Sequence, residues 1–230
     1  MRLYLSQLSL SRAPSIAAFK ALLSPADGGA RLDAHHKLLW SAFADHPDRQ
    51  RDFLWREDNG VFTVLSQRPP GQSPVFEEPK TKEFAPELTP GDRLQFQLRV
   101  NATRTVKSKD LSPNGKPKRQ HVDVTMDALL AITSDRAAQR MPLAQKAGAD
   151  WFESQGQRHG FRVEACHVTD YSVLALPGYR GPRKGQPQFG ILDMTGAVIV
   201  VEPETFLTKL SQGFGRAKAF GCGLMLIRRA

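Results

Sequence analysis

Histidine is the residue type on which chemistry in this chain would turn. Six histidines are present. Two of them, His35 and His36, stand inside an apolar stretch, Arg31-Leu-Asp-Ala-His-His-Lys-Leu-Leu-Trp-Ser-Ala-Phe43. An imidazole with an unperturbed pKa of ~6.5 suits proton transfer near neutral pH. Other chemistries lack their residues. No Asp/Glu cluster of the kind that holds two Mg²⁺ ions stands out, and neither zinc-ligand spacing nor a P-loop is present. Cys166 and Cys222 are far apart and form no disulfide framework or metal cluster. No metal and no cofactor is expected. RNA carries its own nucleophile, the 2′-OH, so a protein acting on it needs to align that group, move protons and stabilise phosphorane charge.

The helix that must hold His36 is legible from spacing. Leu32, His36, Leu39, Trp40 and Phe43 fall on one stripe, and Asp33 is a suitable N-cap, which would set His36 at the third helical position. There the helix N-terminus disfavours imidazolium while the Asp33 carboxylate favours it. A core histidine packed among Leu39 and Trp40 is the competing reading. His35 is an alternative occupant of the role, turned toward the stripe's edge. His46 precedes Pro47 and reads as a solvated loop residue.

The charge balance says what the partner is. Over 230 residues, 32 Lys and Arg against 23 Asp and Glu leave a formal charge of +9, which favours a polyanion and above all a nucleic acid. From Arg99 to His121 the chain carries Arg99, Arg104, Lys107, Lys109, Lys116, Lys118 and Arg119 against Asp110 alone. With the turn signal Ser112-Pro-Asn-Gly115 at its centre, this predicts a basic β-ribbon; a solvated loop is the plainer alternative. A second basic loop, Tyr179-Arg-Gly-Pro-Arg-Lys-Gly185, offers Tyr179, Arg180, Arg183 and Lys184. The last eighteen residues form a third site: a helix opened by Pro203, a glycine-punctuated loop with Gly215, Arg216 and Lys218, and a strand over Gly221 to Ile227. The order helix, loop, strand rules out a dinucleotide fingerprint, which needs strand, loop, helix. The loop reads either as bare backbone N–H groups and two cations suited to a phosphate backbone, or as a C-cap followed by a tight turn.

Around these sites the pattern is that of a soluble α+β protein, 40% hydrophobic and 24% charged. Leu3 to Leu10 alternates as a strand. A helix is expected over Ile16 to Leu23, ended by Ser24-Pro25 and Gly28-Gly29. A strand follows at Val61 to Leu65, then an exposed connection over Pro69 to Pro90, then an alternating strand over Arg93 to Val100. A second unit would run from a strand at His121 to Thr125, through a helix after Pro142 ended by Gly160, to a strand from Phe161. A hairpin of Phe189–Leu192 and Ala197–Val201 would be joined across Asp193 to Gly196. Two tandem ferredoxin-like (RRM-like) units are the expected architecture, an N-terminal one over 1–102 with the catalytic helix and a C-terminal one over 103–230 with the ribbon and glycine-rich loop. No apolar run approaches the ~20 residues that span a bilayer. The N-terminus lacks the apolar core of a signal peptide, so a cytoplasmic protein without membrane contact is expected.

Three stretches carry a family resemblance: His36-Lys-Leu-Leu-Trp40, Leu98-Arg-Val-Asn-Ala-Thr-Arg-Thr105 and Gly213-Phe-Gly-Arg-Ala-Lys-Ala-Phe-Gly-Cys-Gly-Leu224. In these, and in their order over nearly the whole chain, the sequence resembles the CasE family, CRISPR-associated endoribonucleases of the type I-E system. The resemblance implies a metal-independent endoribonuclease that cleaves precursor CRISPR RNA within its repeats. In that family the 2′-OH attacks the adjacent phosphate and a cyclic phosphate forms first. It further implies that the protein holds the CRISPR repeat stem-loop, keeps the mature guide RNA and joins the other subunits of Cascade, being a monomer when free. The family's catalytic histidine falls on His36. Members often carry a tyrosine three residues earlier, where this chain has Asp33, the candidate for a second catalytic group or merely a cap. The basic segment becomes the ribbon that grips the stem, where shape and phosphate contacts dominate. A non-catalytic RNA-binding subunit using the same surface is the rival reading; a basic DNA-binding or ribosome-associated protein is more remote.

Overall fold

A computed structural model describes residues 2–46, 48–111, 114–115, 117–175 and 188–230, with the side chains of 108–111 outside that description. The first sheet comprises Tyr4–Ser9 (β1), Phe53–Asp58 (β2), Val61–Ser66 (β3) and Lys80–Glu83 (β4), antiparallel throughout in the order β2-β3-β1-β4. Asn59 and Gly60, both at positive φ, close the β2–β3 hairpin, as a two-residue turn of the primed type requires. The expected helix over Ile16 to Leu23 is instead two single turns, Pro14–Ala17 (α1) and Lys20–Leu23 (α2), with no buried residue in either. Too few apolar side chains point inward there to stabilise a continuous helix. The connection over Pro69 to Pro90 is not wholly irregular, because β4 lies within it as an exposed edge strand.

The helix carrying the histidines, Gly28–Phe43 (α3), begins earlier than its stripe suggests. Asp27, not Asp33, is the N-cap, its Oδ1 accepting from the Ala30 N–H at 2.7 Å. Gly28 and Gly29 open this helix rather than ending the previous one, because a neighbouring strand end sits against them. A Cβ at Gly29 would lie 1.8 Å from the Ala175 carbonyl oxygen. Leu38, Leu39, Ala42 and Phe43 of α3 pack with Leu8, Phe53, Trp55, Phe62 and Phe76 over one face of the first sheet.

The second sheet is built from Arg93–Val100 (β5), Phe161–Ala175 (β8), Gln188–Val200 (β9) and Met225–Arg229 (β10), antiparallel in the order β10-β5-β9-β8. Between β5 and β8 come a two-stranded ribbon of Thr103–Leu111 (β6) and Pro117–Asp123 (β7), then helices Val124–Leu130 (α4) and Arg136–Arg158 (α5). Pro203–Gln212 (α6) connects β9 toward β10. The succession β5, α5, β8, β9, α6, β10 is the ferredoxin-like βαββαβ order. The first sheet has the same strand order, with a proline-rich connection before its fourth strand. The fold is thus α+β with two ferredoxin-like sheets in tandem.

Several expected elements shift. The N-terminal unit expected over 1–102 includes β5, yet that strand pairs with β9 and β10, so a division at residue 102 would cut it from both partners. His121 to Thr125 does not begin the second sheet. It ends the ribbon, and Asp123 then caps α4 by accepting from the Thr125 and Met126 N–H groups. Pro142 lies inside α5 rather than ahead of it. The hairpin expected across Asp193 to Gly196 is one continuous strand, β9, paired with β8 on one side and β5 on the other. Gly221 to Leu224 belongs to the loop, and the final strand starts at Met225. No helix among the described residues is long and apolar enough to cross a membrane.

Phe96, Trp151, Phe152, Phe161, Phe206 and Phe214 centre the second core, between its sheet and α5 and α6. A smaller cluster joins the two halves: Leu3, just ahead of β1, and Leu54 and Leu65 of the first sheet meet Leu224 just before β10. Arg99 clamps beside it. Its Nε lies 2.9 Å from Asp193 Oδ1, its Nη1 donates to the Glu57 carbonyl at 3.0 Å, and its Nη2 lies 3.5 Å from Asp58. Glu57 and Asp58 end β2, so this guanidinium, expected on RNA, is engaged between the sheets.

Candidate functional site

α3 sets its two histidines on different faces. His35 is the core histidine, 3% exposed, edge-on to Phe62 at 4.9 Å with its Nε2 3.4 Å from Ser24 Oγ. The stripe in the sequence turns His35 to the edge and His36 inward; the helix is rotated the other way. His36 is half-buried in the middle of α3, beyond the reach of the first-turn dipole. Its Nε2 accepts from the Trp40 indole N–H at 3.2 Å, one helical turn on. In the neutral ring the proton then sits on Nδ1.

From the far end of the chain, the 3-10 turn Lys218–Phe220 folds against α3, bringing the Phe220 ring to 6.1 Å from that of His36. Phe220 also meets Phe189 at the start of β9, at 5.6 Å. The imidazole therefore sits where the helix, the glycine-rich loop and the mouth of the second sheet converge. Burial holds its pKa below the ordinary value, and the Arg51 charge lowers it further, against a smaller opposite pull from Asp33. His36 is neutral at pH 7 and able to take a proton. Asp33 stands one turn earlier and its Oδ2 accepts from Lys37 Nζ at 2.7 Å, so its effect on the imidazole is that of a nearby charge.

The cations of this region come from two segments, the glycine-rich loop and the residues just ahead of β2. Arg216 is exposed; Lys218 is half-buried and donates to the Gln212 carbonyl at 2.7 Å. Burial and the charges of Lys209 and Arg51 lower the Lys218 pKa. Arg51, just ahead of β2, is half-buried with its Nη1 unpaired. Sequence reasoning misses Arg51. It lies in a run of charges, Asp48-Arg-Gln-Arg-Asp52, where nothing separates it from Arg49, which Asp45 holds bidentately at 2.7 and 2.8 Å. Trp40 reads as core in the sequence, and Phe220 is marked there only as one residue of the glycine-rich motif.

Part of the backbone of the glycine-rich loop is committed to the fold. The Phe214, Arg216 and Gly223 N–H groups donate to the carbonyls of Gly223, Asn101 and Arg99. Gly215, at φ +62°, is required by the fold itself, because a Cβ there would lie 2.4 Å from the Asn101 carbonyl oxygen. The basic segment of the sequence forms the β6–β7 ribbon, with Lys107, Lys118 and Arg119 exposed along it. Arg104, near its base, is paired with Asp127. The Lys109 side chain, Lys116, and Tyr179, Arg180, Arg183 and Lys184 lie outside the described residues. Other nucleophiles are quiet: burial pushes the Cys166 thiol up to about 11 and Cys222 up to about 12, so neither is a thiolate near neutral pH.

Trp40→Phe tests the histidine's setting. An N–H donated to the lone pair stabilises the neutral ring, so its removal raises the His36 pKa. An NMR titration of the His36 imidazole should move toward the ordinary value of ~6.5; an unmoved midpoint would show that the indole contributes nothing.

A family model described as CRISPR associated protein matches residues 3–229. The Cascade subunit CasE of Escherichia coli K12 is 27% identical over 198 residues, covering 83% of this chain and 88% of that one. The CRISPR-associated endoribonuclease Cse3 of Thermus thermophilus is 27% identical over 247 residues, covering 90% and 97%. Among solved structures, Cse3 bound to a 19-nucleotide RNA superposes with a TM-score of 0.65 at 22% identity, over 99% of this chain and 100% of that one. Cse3 of Thermus thermophilus bound to an RNA representing a pre-cleavage complex gives 0.63 at 23%, over 99% and 100%. These likenesses establish a common fold.

Proposed function

This chain belongs to the family of CRISPR associated proteins, and from that premise we propose that it is an endoribonuclease of the type I-E system that processes precursor CRISPR RNA. The observation that carries the reading is His36: a half-buried, neutral imidazole at the meeting of α3 with the basic glycine-rich loop, with cations beside it. Such a site can cut a strand that supplies its own nucleophile. The substrate's 2′-oxygen bonds to the adjacent phosphorus, the bond from phosphorus to the 5′-oxygen breaks, and a 2′,3′-cyclic phosphate and a 5′-OH result. The 2′-OH proton passes to His36 Nε2, which Trp40 relinquishes as the ribose arrives; solvent water protonates the departing 5′-oxygen, and the hydroxide left behind takes the proton from the imidazolium and restores the neutral ring. Asp33, held by Lys37, tunes the imidazole by its charge and is not itself the proton carrier.

Binding rests on the ribbon and the loops. Lys107, Lys118 and Arg119 supply phosphate contacts along a repeat stem-loop, whose A-form groove is read by shape. The relative named as a Cascade subunit supports assembly with other Cascade subunits; on this reading the protein keeps the mature guide RNA and works in the cytoplasm. The chain is best divided between β4 and β5, so that each ferredoxin-like sheet is whole.

The test is cleavage of the cognate CRISPR repeat as a synthetic RNA, in EDTA, beside the same RNA carrying 2′-deoxy at the scissile position. Cleavage of the first and not the second is expected. Tight binding with neither cut would leave an RNA-binding subunit in its place.

A further inference from the structure

Just ahead of β2, on the side where α3 carries His36, lies a cation that no group among the described residues neutralises. Among the described residues no hydrogen bond or ion pair reaches the Arg51 guanidinium, and its Nη1 is both buried and unpartnered. Its neighbours in sequence and space behave otherwise: Arg49 is held by Asp45, Arg56 by Asp58, and Arg68 by Asp52. Arg51 stands two residues before Phe53, whose ring packs edge-on against Trp40 at 5.4 Å, the same indole that donates to His36, and its charge lowers the pKa of both His36 and Lys218. Its own pKa is lowered by burial alone, with no carboxylate acting in return. Three nitrogen bases are therefore gathered at the junction of α3, β2 and the Lys218–Phe220 turn, two of them cationic and desolvated. Buried charge without a partner is costly, and a cluster of one sign favours an incoming anion. Lys218 already commits a donor to the Gln212 carbonyl; the Nη1 of Arg51 is uncommitted.

We infer that Arg51 is a catalytic residue that takes the scissile phosphate, its Nη1–H donating to a non-bridging oxygen as charge builds there during attack by the 2′-oxygen. The guanidinium transfers no proton; it stays charged while His36 handles the 2′-OH proton. A planar fork fits a phosphate better than an ammonium does, and a donor fixed in place before reaction stabilises the transition state more than the bound substrate. This rests on the reading of the site as one that cuts RNA, and it adds the group that holds the phosphate.

Single-turnover cleavage of the cognate repeat RNA by full-length wild type, Arg51→Gln and Arg51→Lys tests it. Removing a donor of this kind costs roughly 10²–10³-fold in rate, so Arg51→Gln should lose about 10²-fold while its affinity for the 2′-deoxy repeat changes by less than about tenfold. Arg51→Lys should recover part of the rate. Substituting sulfur for one non-bridging oxygen at the scissile phosphate should slow wild type and have a smaller effect on Arg51→Gln, which a merely structural arginine would not produce. Removing the charge also raises the His36 pKa, so the acid limb of the rate profile should move to higher pH in Arg51→Gln and stay near wild type in Arg51→Lys. Melting curves identify a variant that has simply unfolded, and the lysine variant then carries the comparison. If wild type cuts, His36→Ala does not, and Arg51→Gln keeps both rate and sulfur effect, the assignment of Arg51 is overturned and the site reading stands. If wild type does not cut the 2′-OH substrate, both fall.

Discussion

His36→Ala should cut the rate of repeat cleavage by 10²–10⁴-fold, roughly the range that one positioned general acid–base group contributes. RNA affinity should be nearly intact. The imidazole is a single half-buried neutral ring, whereas binding draws on cations spread over the ribbon and loops, and removing an uncharged group changes no counterion release. The loss should therefore appear in the chemical step alone, in single-turnover kinetics at saturating protein, with the Kd measured on 2′-deoxy repeat. Because alanine also removes the Trp40 hydrogen bond and the Phe220 ring contact, His36→Gln serves as a control that keeps an acceptor near the indole. It should be as slow as alanine if proton transfer is the role. Equal rates for wild type and both variants would take His36 out of the chemistry.

Gly215→Ala should be damaging for a reason unrelated to RNA. At φ +62° a side chain is already strained, and its Cβ would press to 2.4 Å from the Asn101 carbonyl oxygen and 2.6 Å from Val100 Cγ2. Neither can yield without parting the loop from the end of β5, which would break the Arg216 N–H to Asn101 carbonyl bond of 3.0 Å. A cost of about 2–4 kcal/mol is expected from forced backbone geometry of this kind. For a chain of this length that lowers Tm by roughly 5–15 °C. Activity should fall with it, since the same loop carries Phe220 and Lys218 to His36. A thermal melt separates the two explanations of this glycine: an unchanged Tm with weakened RNA binding would return Gly215 to the role of letting a phosphate approach.

Features that depend on neighbours along the chain were legible before any fold was known. The period-2 alternation of Arg93 to Val100 marked a strand, Pro203 and Gly213 bounded a helix, and the basic run with its central turn marked a ribbon; each is a local preference that folding kept. The family resemblance located His36 as the residue of interest. Boundaries failed where a distant segment intervened. α3 starts at Gly28 rather than Asp33 because the end of β8 needs glycine beside it, and Asp193 to Gly196 continues as strand because β8 runs alongside to pair with it.

Only the tertiary structure could assign roles among like residues. Arg99 and Arg51 are the same side chain in similarly charged sequence, yet one is neutralised across the two sheets by Asp193 and Asp58 and the other is left without a partner beside His36. Which of two adjacent histidines is core was decided by the rotation of α3 on its sheet. The physical reason is common to these cases. Pairing, burial and pKa are sums over everything within a few ångströms, and for a site assembled from α3, the residues before β2 and the last loop, almost all of those neighbours are far away in sequence.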